Sequence, residues 1–154
     1  MAAEKLFIDK NIKTVLILGA GAVAETIIAV LLKKGIDVTV ANRTLSRAEE
    51  LGRKYGCGFD SLDNVGRFSG AVDLVIQATS TSEDVALPFE FSGKELVCDM
   101  VYNPVKTDFL KRAEQSGCKI ITGLDFLFTQ GVAQFELFTG KAYPSDLKLF
   151  PLRM

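Results

Sequence analysis

The apolar run at residues 15–18 breaks off into Gly19-Ala20-Gly21-Ala22-Val23-Ala24, and a stretch of helical composition at 22–34 follows, closed by Gly35. This G-x-G-x-x-A step, set where a strand turns into a helix, constrains the chain more than any other feature. Gly19 permits the tight reversal, Gly21 lets a pyrophosphate approach the backbone, and Ala24 lets the helix settle close on the sheet. The free N–H groups of the helix start then face the anion. A bare glycine triplet also occurs in turns that bind nothing. Its position between strand and helix predicts a dinucleotide site over Gly19, Ala20, Gly21, Ala22, Val23 and Ala24.

The rest of the chain repeats the alternation. A β-branched run at 37–41 leads into an amphipathic helix at 45–55, which Thr44 is placed to cap and Gly56 to end. A weak strand at 57–59, a polar stretch at 60–70 and a buried strand at 73–77 come next, and 81–94 reads as loop. A strand at 96–100 then precedes a helix that Thr107 caps and Gly117 stops, a short strand at 119–122 and a helical pattern at 124–140. The alternation predicts an α/β fold, a Rossmann-like doubly wound parallel sheet in three α/β/α layers, with about six strands and right-handed crossovers. The 154 residues are expected to form a single dinucleotide-binding domain, with a lead-in helix within 1–12 and a less regular tail at 141–154.

About 20 residues past the glycine loop, the second strand of such a fold commonly ends in an acid that binds the ribose hydroxyls of NAD. Asn42, Arg43 and Thr44 stand there instead, with Arg47 one turn into the next helix. A carboxylate would repel a 2′-phosphate, whereas guanidinium groups bind it through charge-assisted, often bidentate, hydrogen bonds. Arg43 and Arg47, with the Thr44 hydroxyl and the Asn42 amide, predict a local anion site that selects NADP over NAD. The plane of Arg43 is also suited to lie on the adenine. Both arginines as solvated surface residues is the alternative, but cations at a helix N-terminus oppose its dipole unless an anion is expected there.

Composition removes other classes. With 18 Lys+Arg against 19 Asp+Glu, the net charge of -1 provides no general field for nucleic acid or an anionic membrane. Phosphate binding must therefore be local. There is no histidine, which removes the commonest metal ligand and the commonest general base, and with it Ser-His chemistry. No metal site is expected. Cys57, Cys98 and Cys118 are odd in number and form no C-x-x-C, which suits a reducing cytoplasm and buried thiols. Residues 14–32 are apolar, but Glu25 in a membrane-spanning helix would cost roughly 2.5–3.5 kcal/mol, so no membrane span is expected. The N-terminus lacks the apolar core and cleavage site of a secretion signal. A cytoplasmic location is expected.

From residues 13 to 141 the chain resembles the NADP-binding domain of the shikimate dehydrogenase family. The motifs occur in family order: the glycine loop, "NRTLSRAEEL" (42–51), "ATS" (78–80), "DMVYNPVKT" (99–107) and "GLDFLFTQGVAQFELFTG" (123–140). The first two are shared with other NADP-binding domains, and the last two are more distinctive. The resemblance implies exchange of a nicotinamide hydride with C3 of dehydroshikimate, in the pathway to aromatic amino acids, with shikimate and 3-dehydroshikimate as the pair interconverted. It implies that Ala78, Thr79 and Ser80 line the cofactor groove, that Val101 and Gly123 flank the nicotinamide, and that Tyr102 and Gln130 reach the substrate.

By their own chemistry, Tyr102 beside Asn103-Pro104 could equally be turn packing, and Gln130 an exposed polar residue on an otherwise apolar helix. The chain departs from the family pattern at Gln77, where Asn is common, and at Thr81-Ser82-Glu83-Asp84, where a Gly-Met loop is usual. The family's catalytic Lys and Asp belong to an N-terminal substrate domain that would precede Glu4, so no catalytic residue is assigned here. Proton transfer to a carbonyl oxygen needs such a group within hydrogen-bond reach. Asp99 is expected to bind nearby backbone and Lys106 to be solvated. The chain is accordingly expected to be the cofactor-binding part of such an enzyme, inactive by itself, with substrate bound only when the other domain is present. The cofactor domain of a glutamyl-tRNA reductase, which shares a glycine loop and an "NRT" stretch, and a free-standing NADP-binding module are the alternatives. An apolar patch over 124–140 would favour a homodimer of the isolated chain.

Overall fold

The computed structural model describes residues 11–79 and 87–144. Along them run β1 (Thr14–Leu18), α1 (Ala22–Lys33), β2 (Asp37–Asn42), α2 (Leu45–Tyr55) and β3 (Gly58–Ser61). A 3-10 helix (Leu62–Phe68), β4 (Leu74–Gln77), β5 (Leu96–Asp99), α3 (Asp108–Gln115), β6 (Lys119–Ile121) and α4 (Gly123–Thr139) follow. The six strands form one sheet in the order β3-β2-β1-β4-β5-β6, and every neighbouring pair is parallel. The expected Rossmann-like doubly wound sheet is therefore what the chain forms. The lead-in helix and most of the tail expected at 141–154 lie outside the described residues.

Strands buried on both faces need apolar side chains at nearly every position, which is why these runs are continuous rather than alternating. Val15 and Ile17 of β1 join a core with Val38 and Val40 of β2, Ile27 and Leu31 of α1, and Ala48 and Leu51 of α2. Leu16 and Leu18 point the other way, into a second core with Val75, Val97, Phe89, Phe109 and Leu110. Helices thus cover both faces.

The polar stretch at 60–70 is more ordered than its composition suggests. Leu62 and Val65 are buried, and the Ser61 hydroxyl accepts a hydrogen bond from the Asp63 N–H to start the 3-10 helix. Two apolar anchors three residues apart suit a 3-10 turn, where positions i and i+3 eclipse.

At the far end of the chain, α4 opens with a reciprocal cap between Thr122 and Asp125 and closes at Gly140 in the left-handed region, φ 65°. Only Gly123 is buried within it. Phe128 and Phe135 meet Tyr143 edge-on, while Leu137 and Phe138 are 80% and 84% exposed. Among the described residues no helix is long and apolar enough to cross a membrane.

Candidate functional site

The strand order reverses between β1 and β4, so the chain leaving β1 and the chain leaving β4 diverge to opposite faces. A crevice must open at their carboxyl ends, and ligands of open parallel sheets bind in such crevices. A groove of about 700 Å³ lies there. Gly19, Ala20, Gly21, Ala22 and Val23 form its floor, Asn42, Arg43, Thr44 and Arg47 one end, and Met100, Val101, Tyr102 and Asn103 the other, with Ala78 and Thr79 alongside.

The two glycines of the loop serve different ends. Gly19 has φ +108° and donates its N–H to the Ala41 carbonyl at 2.7 Å, and a Cβ on it would stand 2.8 Å from the Ala78 carbonyl. The fold itself requires glycine there. Gly21 is extended, with φ −97° and ψ −177°, and a Cβ on it would meet nothing within 4 Å. Space above Gly21 is left open on the groove side.

Two helix N-termini enter the groove without a cap. Gly21 begins α1 and has no side chain to offer, and Thr44 begins α2 but makes no capping hydrogen bond. This corrects the expectation that Thr44 caps α2. Thr107 and Thr122, which do cap α3 and α4, have ψ of 163° and 157°, whereas ψ at Thr44 is 100°, and the different backbone angle carries the hydroxyl away from the first turn. The first turn of α2 also holds no acid, while Arg43 and Arg47 are exposed and, among the described residues, pair with no carboxylate. N–H groups without a side-chain cap, and guanidiniums that pair with no carboxylate among the described residues, give this end of the groove a chemistry suited to an anion. Asn42 shapes this end: its Nδ2 donates to the Thr44 carbonyl at 3.0 Å, which holds the turn and commits the amide.

A phosphorylated dinucleotide fits these residues: open space above Gly21, two helix N-termini with no side-chain cap and, among the described residues, two arginines paired with no carboxylate and an enclosed Thr79 Oγ1 with no hydrogen-bond partner. Not every residue singled out in the sequence reaches the groove. Ala24 is buried in the core behind it, Gly123 presses on the Val101 backbone from outside, and Gln130 is exposed on α4 away from the lining. Ser80 lies outside the described residues. Leu62, Met100 and Asn103 line the groove and escaped the sequence reasoning. Met100 and Asn103 flank residues that were named, so their signal was position alone.

Asp99 ends β5 just behind this wall. It is 1% exposed, its Oδ1 accepts the Val101 N–H at 2.9 Å, and its Oδ2 accepts the Thr107 hydroxyl at 2.5 Å. Burial pushes its carboxyl up, against the lowering effect of those two bonds. The expected backbone partner is thus present. Lys106 is exposed as expected and pairs with Glu114 at 2.7 Å.

Comparison with known proteins gives this geometry a family. The shikimate dehydrogenase (NADP(+)) of Pyrococcus abyssi is 41% identical over 151 residues, covering 96% of this chain and 56% of its own length. That of Archaeoglobus fulgidus is 39% identical over 138 residues, covering 83% of this chain and 51% of its own. Among solved structures, the shikimate 5-dehydrogenase of Thermus thermophilus in complex with NADP(H) and shikimate superposes with a TM-score of 0.73 at 32% identity, over 84% of this chain and 50% of that one. The chain spans about half the length of the curated relatives it matches. Residues 1–91 match the model of the shikimate / quinate 5-dehydrogenase family, and the chain belongs to that family.

Proposed function

We propose that this chain is the NADP(H)-binding part of a shikimate dehydrogenase, which reversibly reduces 3-dehydroshikimate to shikimate with NADPH as the reductant. The observation that carries the reading is the pairing of unoccluded space over Gly21 with the uncapped, arginine-bearing start of α2 at one end of the same groove. The glycine loop and α1 N–H groups would bind the pyrophosphate, and Arg43 and Arg47 the 2′-phosphate, with Thr44 beside them. Ala78, Thr79 and Ser80 would bound the middle of the groove, and Val101 and Gly123 the nicotinamide end. Tyr102 and Gln130 would meet the substrate.

Bound in this groove, NADPH would supply the hydride for the C3 carbonyl carbon. The carbonyl oxygen would then need a proton; no Asp, Glu, Lys or His is among the groove-lining residues, and Asp99 is enclosed behind the wall. That proton has to come from the substrate-binding part of the enzyme, and the isolated chain should bind cofactor and turn nothing over. The outward apolar residues Leu137 and Phe138 on α4 support packing toward that part and self-association without it. A cytoplasmic location belongs to the same reading and accords with three cysteines that form no disulfide. The decisive experiment is a titration with NADPH, followed by mixing with a separately produced substrate-binding domain and an assay of shikimate-dependent NADPH formation. Saturable binding and restored activity are expected, and an absence of NADPH binding would refute the proposal.

A further inference from the structure

The wall of the groove farthest from the arginines is built from Met100, Val101, Tyr102 and Asn103, a loop with no regular structure of its own. Besides the Met100 N–H, which donates to the Gln77 carbonyl at 2.9 Å, two contacts hold it. From within the sheet, the Asp99 carboxylate takes the Val101 N–H with one oxygen and the Thr107 hydroxyl with the other, so one side chain ties both ends of the loop. Thr107 in turn accepts from the Leu110 N–H at 3.3 Å, which anchors that tie to the start of α3. From outside, Gly123 lies so close that a Cβ on it would stand 2.5 Å from the Val101 carbonyl oxygen. The Val101 backbone is thereby pinned between β5 and α4.

Asp99 itself does not line the groove. None of the ion pairs among the described residues includes it. Keeping an acid enclosed without a cation is unfavourable unless its hydrogen bonds are used. Both of its oxygens are engaged in holding the wall. We infer that Asp99 is a positioning residue for the nicotinamide end of the groove: it touches no cofactor, but sets the place of Val101 and Tyr102 against which the nicotinamide ring is held.

The inference rests on the NADP(H) reading of the groove, and the two ends of the groove let the two be tested apart. Adenosine 2′,5′-bisphosphate carries the adenosine and the 2′-phosphate but no nicotinamide, so it reports only the arginine end. In the full chain, Asp99→Ala should weaken NADPH about tenfold, the size of one lost ordering interaction, and leave adenosine 2′,5′-bisphosphate within about twofold. A purely structural role would lower the melting temperature and leave the ratio of the two affinities unchanged, which would overturn the inference. Equal weakening of both ligands would overturn it too. Should Asp99→Ala fail to fold, Asp99→Asn decides, because its amide keeps an acceptor for Val101 and loses the one for Thr107; an intermediate fall in NADPH affinity alone is expected, and an unchanged ratio refutes. If the wild-type chain binds neither ligand, the functional proposal fails instead.

Discussion

Gly19 lies against Ala78 so closely that a single added carbon would stand 2.8 Å from the Ala78 carbonyl carbon and oxygen. The contact closes β1 onto β4 where the sheet changes direction, and it makes Gly19 a requirement of folding. Gly21, two residues on, has no such neighbour. Gly19→Ala should therefore destabilise the chain by at least about 2 kcal/mol, from positive φ and steric overlap together. Gly21→Ala should leave stability within about 0.5 kcal/mol and weaken NADPH about tenfold or more through contact with the pyrophosphate. Thermal melts and a fluorescence titration of both variants would check this, and a Gly21→Ala protein that binds NADPH normally would remove the argument for the loop.

Arg43 and Arg47 are exposed, so in the proposed site they would act through charge at the surface and their effect should depend on salt. Replacing either by Ala should cost roughly tenfold in NADPH affinity, in the range of a hydrogen bond to a charged group. NADH, lacking the 2′-phosphate, should be nearly indifferent. The NADPH-to-NADH ratio measured at low and high salt is the readout. A ratio that survives both substitutions would place the phosphate elsewhere.

Asp73 stands before β4 and ties it to β1. Its Oδ2 accepts the Lys13 N–H at 2.8 Å, the Thr14 N–H at 2.9 Å and the Thr14 hydroxyl at 3.0 Å. The Lys13 and Thr14 N–H groups hold its carboxyl below the ordinary value of 3.8. A depressed folded pKa contributes stability that is present above the unfolded value and lost as pH falls through the folded one. Asp73→Asn should thus lower the melting temperature at neutral pH, by a modest amount because the group is exposed to solvent. The difference should shrink as the pH falls below the ordinary value of 3.8 and close once the wild-type acid is itself protonated. A constant difference across that range would assign the effect to something other than charge.

Much of this was readable from sequence because the strongest signals are local. Residues 15–18 and 73–77 are largely apolar, and Gly35 and Gly56 stand where helices end, so the elements and their parallel arrangement follow without tertiary information. The glycine loop and the arginines after β2 are likewise short-range patterns with a chemical meaning. Leu62, Met100 and Asn103 have no such pattern. They enter the groove because β3 lies two strands from β1 on one side and β5 two strands away on the other, which is a property of the sheet order. The absent cap at Thr44 turned on one backbone angle, which composition does not encode. Gln130 and Gly123 were named from family resemblance, and their relation to the groove runs through α4, whose apolar outer residues are not satisfied within the described chain.

At the opposite end of the sheet, Glu95 is 1% exposed and gathers three separate segments. Its carboxylate accepts from the Gly70 N–H at 3.2 Å, from the Ser92 N–H at 3.0 Å and from the Cys118 thiol at 3.4 Å. Burial works against the charge, but these bonds and its own backbone N–H outweigh it and hold the Glu95 carboxyl below its ordinary range. Burial, together with that carboxylate, pushes the Cys118 thiol up to about 11. Since the thiolate is the nucleophile, Cys118 should resist iodoacetamide at pH 8, while the partly accessible Cys57 reacts first. Removing the acid tests the linkage. Glu95→Ala leaves two backbone N–H groups without an acceptor and should cost about 3 kcal/mol, and Cys118 should become alkylated in the same variant as its segment loosens. Glu95→Gln keeps one acceptor oxygen and should cost about 1 kcal/mol. Mass spectrometry of the alkylated native proteins, set beside urea denaturation, would separate the two; Cys118 modified at the rate of Cys57 in the wild-type chain would show that the carboxylate does not enclose it.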